Sequence, residues 1–92
     1  MRIDSLLKRV DVLLTMGQSV LDTEYSSAYG TYVNYGLFSG FRTMSLSFLN
    51  STFGGEHHYY KEFDKLAKQA SPYDVEIGIG ILNAVKDEIL GG

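Results

Sequence analysis

Apolar residues return at alternating spacings of three and four along most of this chain, and that rhythm is the strongest constraint on what it can fold into. Ile3, Leu6, Val10, Leu13, Gly17 and Val20 keep it through the first segment, with Leu7, Leu14 and Leu21 beside them. Arg2, Asp4, Lys8, Arg9 and Asp11 take much of the other face. The spacing predicts an amphipathic helix over 2–22. Gly17 falls on the apolar stripe, where it either ends the helix or lets another helix approach closely. Val20 and Leu21 hold the phase beyond it, so the helix is carried through despite the roughly 1 kcal/mol that an interior Gly costs.

Three more segments show the same period. Asn34 is a good N-cap for a second helix over 35–53. Its stripe runs Leu37, Phe41, Met44 and Phe48, with Phe38, Leu49 and Phe53 widening it, and Gly54-Gly55 stops it. A third helix over 57–70 turns Tyr60, Phe63, Leu66, Ala67 and Ala70 inward and Lys61, Glu62, Lys65 and Lys68 outward. Ser71 as N-cap and Pro72 at the first helical position then restart the chain. Val75, Gly78, Leu82, Val85 and Ile89 carry a fourth helix over 73–90. Between the first two helices, residues 23–34 lose the pattern and hold Tyr25, Tyr29 and Tyr32, just ahead of Tyr35; they read as a Tyr-rich connector. The expectation is all-α: a single four-helix bundle whose core includes Phe41, Phe48, Phe63, Leu82 and Val85.

At 92 residues the chain has the size of one domain, and 45% hydrophobic with 21% charged residues fits a folded chain. It has no Cys, which excludes disulfides, Cys-ligated zinc and thiol nucleophiles. No apolar run approaches 18 residues, so no membrane span is expected. The start lacks an apolar signal region and reads as mature structure, giving a cytoplasmic expectation. Net charge is −3, and all of it arises in residues 47–92, which hold seven acidic and four basic side chains. That balance disfavours a nucleic-acid partner.

The chemical motifs have plain structural readings. Gly78-Ile79-Gly80 lacks the third glycine of a dinucleotide fingerprint, since position 83 is Asn83, and no strand precedes it. These glycines, like Gly36 and Gly40, are read as places of close helix packing. Glu56-His57-His58 is the sole metal-like cluster. Adjacent histidines diverge by roughly 100° on a helix, and no third ligand accompanies them. No Asp or Glu completes a Ser–His pairing, so the helical Ser and Thr hydroxyls are expected to bond to the preceding turn. The reading assigns no catalytic, cofactor or metal residue. The tyrosines could stack bases, but residues 23–35 offer no Lys or Arg to meet phosphates.

Several segments together resemble a small helical N-terminal module of bacterial and archaeal multidomain proteins. Leu6-Leu7-Lys8-Arg9-Val10-Asp11 with Gly17-Gln18-Ser19-Val20-Leu21 is similar to its opening LLxRID…GEEVL. Tyr32-Val33-Asn34-Tyr35-Gly36-Leu37-Phe38 and Arg42-Thr43-Met44-Ser45-Leu46-Ser47-Phe48-Leu49 resemble VDxELFxEWRTSSLNFL. Phe53 to Phe63 is similar to FGEDHPYYKEF, and Gly78 to Lys86 to GLGILKALK, with Gly91-Gly92 at its closing EGG. The set covers nearly the whole chain in order. Departures are Asn34 for Asp, Gly36 and Gly40 for helix-favouring residues, Phe41 for Trp, His58 for Pro and Leu90 for Glu. The resemblance implies that a second domain often follows, including effector domains of the kind seen in phage defence, and no catalysis by the module itself. The family continues beyond the position of Gly92, so the chain is expected to be either the N-terminal module of a longer protein or a stand-alone member.

The expected function is therefore a non-catalytic protein-interaction or regulatory module. The alternative is a small-ligand or nucleic-acid binder using the tyrosines. Its partner is expected to be a protein, either a second copy or a fused domain. The candidate interaction surface is Tyr25, Tyr29 and Tyr32 with Ile77, Ile79 and Leu90, because the fourth helix carries more apolar residues than one inward stripe needs.

Overall fold

The computed structural model describes residues 3–91. Met1, Arg2 and Gly92 lie outside the described residues, and with them the expected helix start at Arg2 and the last glycine of the final stop. The described residues are 73% helical, with four helices and one small two-stranded sheet among them. The helices are α1 (Ile3–Leu21), α2 (Tyr35–Phe53), α3 (His58–Leu66) and α4 (Pro72–Ile89), and the strands are β1 (Tyr25–Ser27) and β2 (Gly30–Tyr32). The molecule measures 46 × 23 × 21 Å.

Each helix packs on two others: α1 on α2 and α4, and α3 on α2 and α4. Neighbours run antiparallel. Gly17 meets Ile79 while Asp11 reaches Lys86, and Gly78 meets Phe63 while Glu88 accepts from the Tyr59 hydroxyl. Arg9 lies over Phe48 while Gly17 is beside Phe41, which sets α1 against α2. Between α2 and α3, Arg42 reaches Ala67 and Phe53 contacts Tyr59.

The caps form as the sequence indicates. Asn34 Oδ1 accepts from Leu37 N at 2.9 Å, and Ser71 Oγ from Asp74 N at 3.2 Å, with Pro72 opening α4. Phe41, Phe48, Phe63, Leu82 and Val85 are all fully buried. The phase of α2 differs from the expected stripe. Phe38, Phe41, Ser45, Phe48 and Leu49 face inward, and Leu37 and Met44 are left 52% and 50% exposed. The apolar arc of the helix is wide, and its bulky rings take the interior. Leu66 is likewise exposed rather than inward.

The third helix ends at Leu66, not at 70. Asp74 Oδ2 accepts from the Lys68 and Gln69 N–H groups at 3.1 and 2.7 Å, drawing the chain out of helical geometry. Arg42 donates to the carbonyls of Asp64 and Ala67 and to the Asp64 carboxylate, capping the helix end that this exposes.

The connector is also not irregular. Tyr25 pairs with Tyr32, Ser26 with Thr31 and Ser27 with Gly30 in an antiparallel hairpin. Neither Ala28 nor Tyr29 at its tip adopts positive φ. Gly30 does, at +146°, a conformation open to a residue without Cβ.

The glycines divide into two groups. A Cβ on Gly17 would lie 2.8 Å from Ile79 Cγ1, and one on Gly78 would lie 3.0 Å from Phe63 Cε2. These two are true close approaches. Gly40 and Gly80 have nothing within 4 Å, and Gly36 meets only Asn34, which corrects the expectation that they too seat a neighbouring helix.

Gly40→Ala and Gly80→Ala should each stabilise the fold by about 0.5–1 kcal/mol, the helix-propensity gain alone. Gly17→Ala and Gly78→Ala should show no such gain, because the added carbon meets packed side chains. Denaturant melts compare the four directly. In the same assay Phe48→Ala should lose roughly 3–5 kcal/mol, as a buried ring replaced by a cavity does.

Candidate interaction surface

The hairpin is anchored at its base and open everywhere else. The Thr23 hydroxyl donates to the Val20 carbonyl at 2.6 Å and accepts from Asn34 N at 2.8 Å, so one side chain ties the end of α1 to the start of α2. Val33 follows β2 into the core, and its N–H donates to the Ala70 carbonyl. Beyond that base the strands are exposed except for part of Tyr32. Tyr25 and Tyr32 lie against each other across the strands, with ring centroids 5.8 Å apart. The Tyr32 hydroxyl donates to the Tyr29 carbonyl, and Tyr29 N donates to Ser27 Oγ. These bonds shape the tip and leave the Tyr29 ring 92% exposed.

Tyr35 and Tyr73, at the first turns of α2 and α4, are exposed at the same end of the molecule. From Tyr25 to Gly55 the only charged residue is Arg42, which is engaged with α3. The hairpin thus presents Tyr, Ser, Thr, Ala and Gly alone. Tyr gives a large amphipathic contact area with few rotors to freeze, and Ser and Gly give adaptable hydrogen bonding, the composition of antibody binding loops.

The residues grouped with these tyrosines from sequence do not join them. Ile79 packs against Gly17 and Phe41 at the α1–α4 contact, Ile77 is half-buried, and Leu90 is 61% exposed at the far end of α4. The apparent surplus on α4 is thus partly consumed inside, because Gly17 makes room for Ile79.

A second exposed apolar area was not anticipated. Val12 and Met16 of α1 and Leu37 and Met44 of α2 border a shallow groove between those helices. One hollow in it, 180 Å³, is lined by Lys8, Arg9, Val12, Leu13, Met44 and Phe48. The Arg9 guanidinium sits 4.8 Å above the Phe48 ring. The sequence signal that marks this area is the charge-free run on either side of Arg42.

At the opposite end, His57 is the N-cap of α3. Its Nδ1 accepts from Tyr59 N at 3.1 Å, and its ring stacks on His58 with centroids 4.5 Å apart. That lone pair is therefore engaged by the backbone. Among the described residues, no three His, Asp or Glu side chains converge on a common point. Ser51 Oγ donates back to the Phe48 carbonyl, whereas the buried Ser45 and Thr52 hydroxyls have no partner among the described residues. No described helix is long and apolar enough to cross a membrane. No protein family, curated protein or solved structure matches the chain.

The Tyr59 hydroxyl donates to Glu88 Oε1 at 2.9 Å. Desolvation first, then this bond and the charges of Glu88 and Asp87, raise its pKa above the ordinary 10.0. The folded state thus favours the neutral phenol. That contribution is complete below the ordinary tyrosine range and is lost as pH rises through the raised value. Ultraviolet titration of the folded protein should show a late-ionising tyrosine that disappears in Tyr59→Phe.

Proposed function

We propose that this chain is a non-catalytic protein-interaction or regulatory module that engages its partner through the tyrosine hairpin. The observation that carries the reading is the projecting, charge-free hairpin with Tyr25, Tyr29 and Tyr32, anchored at its base by Thr23 and Val33. Tyrosine-rich surfaces depleted of charge are the compositional mark of interface centres. The pairwise antiparallel contacts of α1–α4 support taking residues 1–92 as a single four-helix bundle with one short member, α3. The resemblance to an N-terminal helical module of prokaryotic effector proteins supports a fused or separate protein as the partner. A nucleic-acid partner is less well supported, since the hairpin carries no cation for phosphate.

Tyr29→Ala and Tyr25→Ala should leave the helical circular dichroism and melting midpoint close to wild type, because neither ring is in the core. Affinity capture with the full-length gene product, followed by titration of the purified partner, should show binding weakened at least about tenfold by Tyr29→Ala. A partner bound equally by wild type and both variants would remove the hairpin from the interaction.

A further inference from the structure

We propose that the outer face of α1 pairs with the same face of a second copy of this chain, the two helices running antiparallel about Thr15. Ser5, Lys8, Val12, Thr15, Ser19 and Asp22 recur at spacings of three and four on this face, and all are exposed. The Asp22 N–H still donates to the Gln18 carbonyl at 3.0 Å, so Asp22 keeps the helical phase. The middle of the stripe is uncharged. Met16 beside it, with Leu37 and Met44 across the groove, widens the apolar area.

The charges at the two ends identify the occupant. Lys8 and Arg9 stand at one end, Asp22 and Glu24 at the other, and none of the four forms an ion pair among the described residues. Two carboxylates flank the basic end: Asp11 is engaged by Lys86 at 2.8 Å, and Asp4 lies one turn before Lys8, so Lys8 and Arg9 leave that end net positive. Lys8 and Asp22 are 14 positions apart, about 21 Å along a helix and close to four turns, so they share one flank. Parallel pairing of two such stripes sets like charge against like. Antiparallel pairing sets Lys8 and Arg9 of each copy opposite Asp22 and Glu24 of the other, at both ends at once. The surface is therefore complementary to itself, which is what a two-fold interface requires. This proposal does not rest on the hairpin reading: its stripe lies along α1 and meets the hairpin only at its base, where Glu24 precedes Tyr25.

Sedimentation equilibrium of the full chain from about 1 to 100 micromolar tests it, a range that brackets ordinary weak dimers. A concentration-dependent dimer is expected. The paired reversals Lys8→Glu with Arg9→Glu, and Asp22→Lys with Glu24→Lys, should each raise the dissociation constant at least about tenfold, since attraction becomes repulsion at both symmetric ends. The variant carrying all four changes should regain the dimer. A lysine near the C-terminus of α1 suits the helix dipole, but Asp22→Lys also removes the bond that Gln18 Nε2 donates to Asp22 Oδ1, so circular dichroism and a thermal melt check that all three variants keep the helix. A chain that stays monomeric throughout overturns the proposal and leaves the groove to a foreign helix. A dimer indifferent to both reversals, or one not regained in the fourfold variant, overturns it equally. Tyr29→Ala should leave the dimer intact, which separates this result from that of the hairpin.

Discussion

All four helices meet in one closed circuit of contacts, and the rest of the structure depends on it. Gly17 of α1 lies against Phe41 of α2, Phe41 contacts Phe63 of α3 with centroids 5.8 Å apart, and Phe63 lies over Gly78 of α4. The neighbouring residue Ile79 closes the loop back onto Gly17. Two absent side chains thus let two aromatic rings and one isoleucine fill the centre. Each glycine costs helix propensity, and what it returns is close approach of α4 to both of its neighbours.

With the helices held this way, two charged side chains arrange the connections. Arg42 binds the carbonyl end of α3 and Asp74 binds the N–H groups just after it, so the backbone groups around Ala67 to Gln69 are met from opposite sides. The ion pair between Arg42 and Asp64 is exposed on the Asp64 side and adds little by itself. The bonds to backbone matter more, because they allow α3 to stop after nine residues and α4 to begin after a five-residue link. At the other connection Thr23 and Val33 do comparable work with a hydroxyl and a buried methyl pair, and the hairpin between them is free of the core.

The same economy separates the surfaces. Charged side chains are concentrated on α1, α3 and α4, and exposed pairs such as Lys61 of α3 with Glu56 just ahead of it form there. The hairpin and α2 carry none apart from Arg42. Desolvating charge is expensive, so a surface without it is easier to bury against a partner. The hairpin draws directly on this uncharged territory, whereas the outer face of α1 borders it at Leu37 and Met44 and keeps its own charges at the ends of the stripe.

The four helices were legible in the sequence because each carries a 3.6-residue period over at least two turns, with Asn34, Ser71-Pro72 and Gly54 marking ends through purely local chemistry. Phe63, Leu82 and Val85 follow from that period, and Phe41 and Phe48 do so only alongside Leu37 and Met44, which the structure leaves exposed; the tyrosine-rich character of residues 23–34 is plain from composition. The hairpin was not legible. Its strands are three residues each, too short to show alternation, and Ala28-Tyr29 is not a recognised turn pair. Nor could sequence alone place the end of α3, set by Arg42 and Asp74 from outside that helix, or choose between Leu37 and Phe38 on a helix with so wide an apolar arc. Of four candidate close-approach glycines, Gly36, Gly40, Gly78 and Gly80, packing singled out Gly78, and it likewise decided that Gly17 lets Ile79 approach rather than ending α1. Local periodicity determines which segments are helical; which face turns inward, and what a missing side chain makes room for, depends on neighbours distant in the chain.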